Sequence, residues 1–333
     1  MKRQLPILWG ALTTVGVGAL ALAMVLGGAV GQAGASPSSG SEVLHGAHVM
    51  KIQGACHHNC GGGGNNLFYH GGTTVGSTNV GVETGLDRVY LVYWGSQWTT
   101  NDPSGEAAIQ QRFFNGVGGS SWNNSVTQYC EGVSSGTIFC NGAGTAATNP
   151  KGVLAGFWYD NASAAPSRPR QSDLANEAIR AASHFSNTTA VSNTQAQYVI
   201  NTATGNNAGG FGTQYCAYHS STSSSSGTIA YTNMPYITDA GASCGANFNG
   251  LGPTAGITIV GGHEFAETES DIFPSGGWLD GSGGENGDKC AWITTGNQGA
   301  AQNITLSTGT FAVQSLWSNA FSSNAGGCVV SYP

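Results

Sequence analysis

Seven of the 17 acidic residues in this chain fall within one short stretch: Glu264, Glu267, Glu269, Asp271, Asp280, Glu285 and Asp288. Only 8% of the 333 residues are charged, so the crowding stands out from its surroundings. Anions brought this close repel one another unless a cation sits among them. Any fold of this chain has to meet that demand.

The stretch opens as a helix. Pro253 suits a first helical turn, and Ile259, His263, Ala266 and Glu267 share one face by three- and four-residue spacing. The helix is predicted to end near Ser270, ahead of Pro274. Gly256, Gly261 and Gly262 each cost roughly 1 kcal/mol of helix propensity against alanine. A helix that tolerates them is expected to lie tightly against another backbone.

On that helix His263 and Glu267 sit at i and i+4, so both side chains reach one ion. Glu264 is offset by about 100°, where it reaches a water on that ion. This is the logic of the His-Glu-x-x-His zinc helix with a carboxylate as the second ligand, which zinc accepts. The expectation is Zn²⁺ held by His263, Glu267 and one downstream carboxylate, with Glu264 as general base toward a metal-activated water. Glu285 is the first choice of third ligand, with Asp288 supporting His263 from behind. The reverse assignment of Glu285 and Asp288 stays open.

Upstream, Arg88–Trp94 is a continuous β-branched and aromatic run and reads as a buried strand. Ser104 is placed to cap a helix running through Phe114, and a second helix is expected from Ser172 or Asp173 to Phe185. Tyr198-Val199-Ile200 reads as another buried strand. The order strand–helix–helix–strand points to an α/β fold (mixed α+β), a single domain with a mixed sheet and a zincin-like active-site helix. That likeness at the helix is analogy.

The start reads as a signal peptide, residues 1–35. Lys2 and Arg3 precede an apolar stretch from about Ile7 to Val30, and Ala33-Gly34-Ala35 offers a cleavage site. The apolar stretch is also long enough to serve as an uncleaved anchor. Residues 36–64, rich in Ser and Gly and then His, read as a linker, with the hydrolase domain spanning 65–333. Eight cysteines in an oxidising compartment imply four disulfides. Proximity suggests Cys130–Cys140, Cys216–Cys244 and Cys290–Cys328, with Cys56–Cys60 remaining. A net charge of −7 argues against nucleic acid or an anionic membrane surface as partner. The expected partner is an extracellular protein or peptide substrate, with no membrane contact after signal cleavage.

Tyr69-His70-Gly71-Gly72, Val89–Gly95, Tyr215-Cys216-Ala217-Tyr218-His219, His263-Glu264-x-x-Glu267 and Glu285-x-x-Asp288-x-Cys290 occur in an order that resembles the Exordium, or phosphate-induced-protein, family of plant cell-wall proteins and its bacterial secreted relatives. The resemblance covers most of the chain after residue 65. It implies an extracellular protein with a metal site and leaves the reaction open. The chain departs from it at Asp271, where the plant proteins tend to have Asn, and in the Gly281–Gly284 loop.

Other residues have competing readings. His219 is a ligand, a transition-state donor or a buried structural residue. His70 is read as a turn residue rather than a catalytic one, and His57 and His58 as part of a small disulfide loop rather than a metal tract. His184 complements a helix C-terminus. The tryptophans are assigned to the core, with Trp278 and Trp292 as lesser candidates for cleft walls. Ca²⁺ is the alternative ion, taken by Asp280, Ser282, Glu285 and Asp288 in a non-catalytic, wall-associated binding protein. A glycosidase pairing Glu264 with Glu285 leaves His263 unexplained and ranks last. No Gly-x-Ser-x-Gly occurs in a strand–turn–helix setting.

N-terminal sequencing of the exported protein is expected to start at Ser36. A membrane-retained form starting at Met1 would instead identify residues 1–35 as an anchor.

Overall fold

The computed structural model describes residues 42–54, 66–296 and 299–332. The signal segment 1–35, His57, His58 and the Cys56–Cys60 pairing lie outside them.

Six strands build the main sheet: β1 (Ala47–Lys51), β2 (Arg88–Trp94), β3 (Leu154–Asp160), β4 (Ala196–Thr202), β5 (Tyr215–Ser224) and β6 (Gly227–Met234). Their spatial order is β1-β5-β6-β4-β2-β3. β3, β2, β4 and β6 run parallel, whereas β5 and β1 each pair antiparallel, so the sheet is mixed.

β2 shows why its sequence carries no polar alternation. Leu91 and Tyr93 enter the core beneath helices α1 (Glu106–Val117) and α3 (Ala255–Ser270). Tyr90, Val92 and Trp94 enter the core on the opposite face, under α2 (Gln171–His184). A strand buried on both sides reads as an unbroken apolar run. The fold is therefore α/β, one disulfide-bonded unit with helices on both faces of a mixed sheet. Phe114 of α1 meets Phe265 of α3 edge to face at 5.6 Å, and burying each ring contributes about 1.5–3 kcal/mol.

Two expectations need correcting. The cap of α1 comes from Asp102, whose carboxylate accepts from the backbone N–H groups of Glu106 (2.8 Å) and Ala107 (3.1 Å). Ser104 instead hydrogen-bonds the Thr238 hydroxyl. The stretch 36–64 is not a linker throughout: Ala47–Lys51 is the sheet's edge strand β1, held in register against β5. α2 and β4 fall where the sequence put them.

Cys130–Cys140, Cys216–Cys244 and Cys290–Cys328 are bonded as proximity suggested. Among the described residues no helix is long and apolar enough to cross a membrane.

α3 is buried along its whole length, and its glycines divide into two kinds. A Cβ on Gly256 would overlap the Cys244 carbonyl oxygen, so that position is restricted by a neighbouring backbone. A Cβ on Gly261 would meet Met234 Cε at 3.5 Å and Phe114 Cζ at 4.0 Å, both ordinary contacts. Gly256→Ala is therefore expected to destabilise by about 1–3 kcal/mol. Gly261→Ala should be neutral or stabilising by up to about 1 kcal/mol. Denaturant unfolding of the two variants checks this, and equal effects would contradict the packing described.

Candidate metal centre

Three segments far apart in sequence meet at one place. α3 supplies His263, Glu264 and Glu267, β5 supplies His219, and the loop after α3 supplies Glu285 and Asp288. The loop reaches α3 because residue 287 is glycine: a Cβ there would come within 2.8 Å of His263 Nδ1 and 2.9 Å of Glu267 Oε1.

His263 Nε2 lies 3.0 Å from Glu267 Oε1 and 3.7 Å from Asp288 Oδ1. The three ligand atoms all fall within 4.8 Å of one another. His263 Nε2 nevertheless has no hydrogen-bond partner although it is fully buried. Two nitrogen or oxygen ligands on a tetrahedral zinc stand ~3.3 Å apart, and the observed separations bracket that figure.

Gln314 fixes which nitrogen faces the carboxylates. Its Nε2 donates to the carbonyls of Gly287 (2.7 Å) and Ser315 (3.1 Å), so its Oε1 is the atom left to accept from His263 Nδ1–H at 3.2 Å. In the neutral ring Nε2 then carries a lone pair aimed at two carboxylates. A lone pair in that setting calls for a cation, either a proton or a metal ion. Glu267 Oε1 is in turn held by the backbone N–H of Asp288 at 2.8 Å. Sequence reasoning missed Gln314, because an amide in a strand-like run gives no signal of its own.

Glu285 stands apart from this group. Its Oε2 is 2.9 Å from His219 Nε2 and 2.8 Å from His48 Nδ1. The third carboxylate near His263 is thus Asp288, the reverse of the first assignment. His48 was also missed, since it lies in the presumed linker; its register partner across the sheet is His219. The two groups adjoin, with His219 Nε2 3.7 Å from Glu267 Oε2.

His219 has both nitrogens engaged, Nε2 by Glu285 and Nδ1 facing Thr268 Oγ1 at 3.5 Å. That leaves no nitrogen free to donate to a substrate, so the transition-state role does not fit. Glu264 is 1% exposed and neither of its carboxylate oxygens has a partner. Asp288 and His48, with side chains 28% and 14% exposed, are where the centre meets solvent.

Several other candidates lie elsewhere. His70 is an exposed turn residue stacked on Phe68, and His184, the last residue of α2, stacks on Trp158. Trp278 is fully buried and donates to the Cys130 carbonyl; Trp292 donates to the Lys51 carbonyl. Full burial rules out the Trp278 ring as a cleft wall, whereas the Trp292 ring is half-buried. Asp280 pairs with Lys289 Nζ at 2.8 Å and accepts from the backbone N–H groups of Ser282 and Gly284. It does not converge with Glu285 as the calcium reading required. A groove of about 450 Å³ between Gly116, Trp122, Lys151 and Leu306 shares no residue with the centre, and Lys151 is its only titratable side chain.

The metal-free chain is electrostatically tense. Burial opposes charge on His263, but Glu267, Glu264 and Asp288 outweigh it and hold the imidazole up to about 10. Burial likewise opposes charge on His219 and His48, and Glu285 outweighs it, giving about 10 and about 9. Burial would raise the Glu285 carboxyl, but His219 and His48 hold it well below the usual carboxylate range. Burial and then Glu267 push Asp288 up to about 8. Burial pushes Glu264 well above its usual range, with His263 opposing and Glu267 adding.

Compared with family models, curated protein sequences and solved structures, the chain gives no match.

The sign of the pH dependence follows. Histidines raised from 6.5 toward 9–10 contribute stability that is complete below pH 6.5 and lost as pH rises through 9–10. Asp288, raised to about 8, also loses stability with rising pH. Thermal unfolding of chelator-treated protein is therefore expected to shift down by at least several degrees between pH 6.5 and 9.5. A flat profile would show that these histidines are not charge-paired in the metal-free chain.

Proposed function

We propose that this protein is a secreted zinc-dependent hydrolase, most specifically a peptidase. The observation that carries the reading is the convergence of His263 Nε2, Glu267 Oε1 and Asp288 Oδ1 without a hydrogen bond to His263 Nε2, while Gln314 orients that nitrogen.

One nitrogen and two carboxylate oxygens suit zinc, and three protein ligands leave a fourth position for water or substrate. Zinc held there lowers the pKa of a coordinated water and polarises a carbonyl. Glu264 follows His263 on α3 with both oxygens unpartnered, as a general base toward such a water requires. In peptide hydrolysis the water proton passes to Glu264 and the oxygen bonds to the carbonyl carbon. The C–N bond then breaks, and the proton passes from Glu264 to the departing amine.

Peptides are favoured over other acyl compounds because β1, which brings His48 to the centre, is the outermost strand of the sheet on that side. A strand edge offers main-chain donors and acceptors to an extended chain. Export is supported by the signal-like residues 1–35, the three disulfides and the Exordium-like order of motifs.

Two variants test the reading. His263→Ala is expected to lose zinc on elemental analysis. Glu264→Gln should keep the metal while peptide hydrolysis falls about 10²–10⁴-fold. Undiminished hydrolysis by Glu264→Gln, or undiminished zinc in His263→Ala, would overturn the proposal. Gln314→Leu, which frees the His263 ring, is expected to weaken zinc binding about 10–100-fold in a chelator competition.

A further inference from the structure

We infer that the centre is dinuclear: His48, His219 and Glu285 hold a second divalent cation, with Glu267 bridging it to the ion on His263 and Asp288. The inference rests on the zinc reading above and extends it.

Glu285 Oε2 lies between two imidazoles, and their outer nitrogens face hydroxyls. His48 Nε2 is 3.2 Å from Ser275 Oγ, and His219 Nδ1 is 3.5 Å from Thr268 Oγ1. The Thr268 hydroxyl donates its proton to the Glu264 carbonyl at 2.7 Å, so it accepts from His219 Nδ1–H. The inner nitrogen of a neutral His219 is then a lone pair turned toward Glu285. Metal-ligating histidines are generally oriented by an acceptor on the outer ring nitrogen, and hydroxyl oxygens stand in that position here.

Protons alone leave this half of the centre incomplete. Charged His48 and His219 satisfy Glu285 Oε2, yet Glu285 Oε1 and Glu267 Oε2 remain without hydrogen-bond partners, both on fully buried residues. A cation among His48, His219 and Glu285 engages the Glu285 carboxylate and lies on the side where Glu267 Oε2 approaches His219 Nε2 at 3.7 Å. Glu267 then gives Oε1 to one ion and Oε2 to the other. With neutral histidines, two divalent cations offset Glu264, Glu267, Glu285 and Asp288, while the neighbouring Asp271 is held by the backbone N–H groups of Ser275, Gly276 and Gly277.

The two positions differ in kind. The second has four protein ligands, His48, His219, Glu285 and the bridging Glu267, which fills a tetrahedron. The first has three and keeps one position open. The second ion therefore organises the carboxylate bridge and ties β1 to the centre, while the first faces the substrate.

The test uses the whole exported protein, stripped with chelator, titrated with Zn²⁺ and dialysed to equilibrium before elemental analysis. Wild type is expected to retain two zinc ions per chain. His48→Gln and His219→Gln should each retain one, and His263→Gln should retain the other one. The second variant guards against loss of β1 alone. Replacing Zn²⁺ by Co²⁺ should give magnetically coupled ions in wild type and an uncoupled signal in His48→Gln. One zinc in wild type, kept in His48→Gln and His219→Gln but lost in His263→Gln, would overturn the second site and leave the mononuclear reading standing. No zinc in wild type would overturn both.

Discussion

The structure turns on the complete burial of an acid-bearing helix. All sixteen residues of α3 are buried, among them His263, Glu264, Glu267 and Glu269. Taking a carboxylate out of water costs several kcal/mol even after relaxation, unless a partner compensates. Glu267 and Glu269 point to opposite sides of the helix, about 200° apart, and the fold treats the two sides differently. On the Glu267 side it supplies imidazoles and a converging loop. On the Glu269 side it supplies other acids: Glu269 accepts from Asn123 Nδ2 at 2.8 Å, with Asp87 and Glu83 alongside. Burial accordingly pushes Glu269 well above the usual carboxylate range, with Asp87 adding, and pushes Asp87 itself to about 7. One face of α3 thus sets its acids against imidazoles and the other sets them against further acids.

Such a helix needs neighbours that cannot drift. Cys216, on β5 three residues before His219, is bonded to Cys244, whose carbonyl abuts Gly256 at the start of α3. Cys290, two residues after Asp288, is bonded to Cys328. Both covalent links sit next to residues of the centre, so they constrain ligand position as well as chain entropy. Gly287 does the remaining work of approach, since any side chain there would occupy the space of His263 and Glu267.

How much of this could be read in advance depended on whether the signal was local. The extent of α3, the i,i+4 relation of His263 and Glu267, and the doubly buried strand β2 are properties of contiguous residues, and each followed from periodicity or composition. The exchange of Glu285 and Asp288 was not readable. They lie three apart in an irregular loop, where the direction of each side chain is set by contacts rather than by a repeat. His48 escaped for a related reason: its role depends on pairing opposite His219, some 170 residues away in sequence, and nothing in a His-containing Ser/Gly stretch encodes that register. Gln314 was invisible because an amide becomes informative only once its other hydrogen bonds are known. The sequence also overstated Trp278, whose position beside the acidic loop suggested a cleft, whereas its ring is fully buried and its N–H serves the Cys130 carbonyl.

The placement of His48 has a consequence for how the centre and the sheet edge depend on each other. β1 is only five residues long, and a short edge strand has few ladder hydrogen bonds to hold it. Its attachment is reinforced from the side by His48 to Glu285, by His48 to Ser275 and by Trp292 to the Lys51 carbonyl. Charge at Glu285 therefore helps to seat the strand, and the seated strand delivers the imidazole that compensates Glu285. Each supports the other: loss of β1 would leave the buried Glu285 carboxylate with one histidine, and loss of Glu285 would remove the ion pair that adds to the ladder, the Ser275 contact and the Trp292 contact of β1. The edge of the sheet and the buried cluster of Glu285, His48 and His219 thus depend on each other.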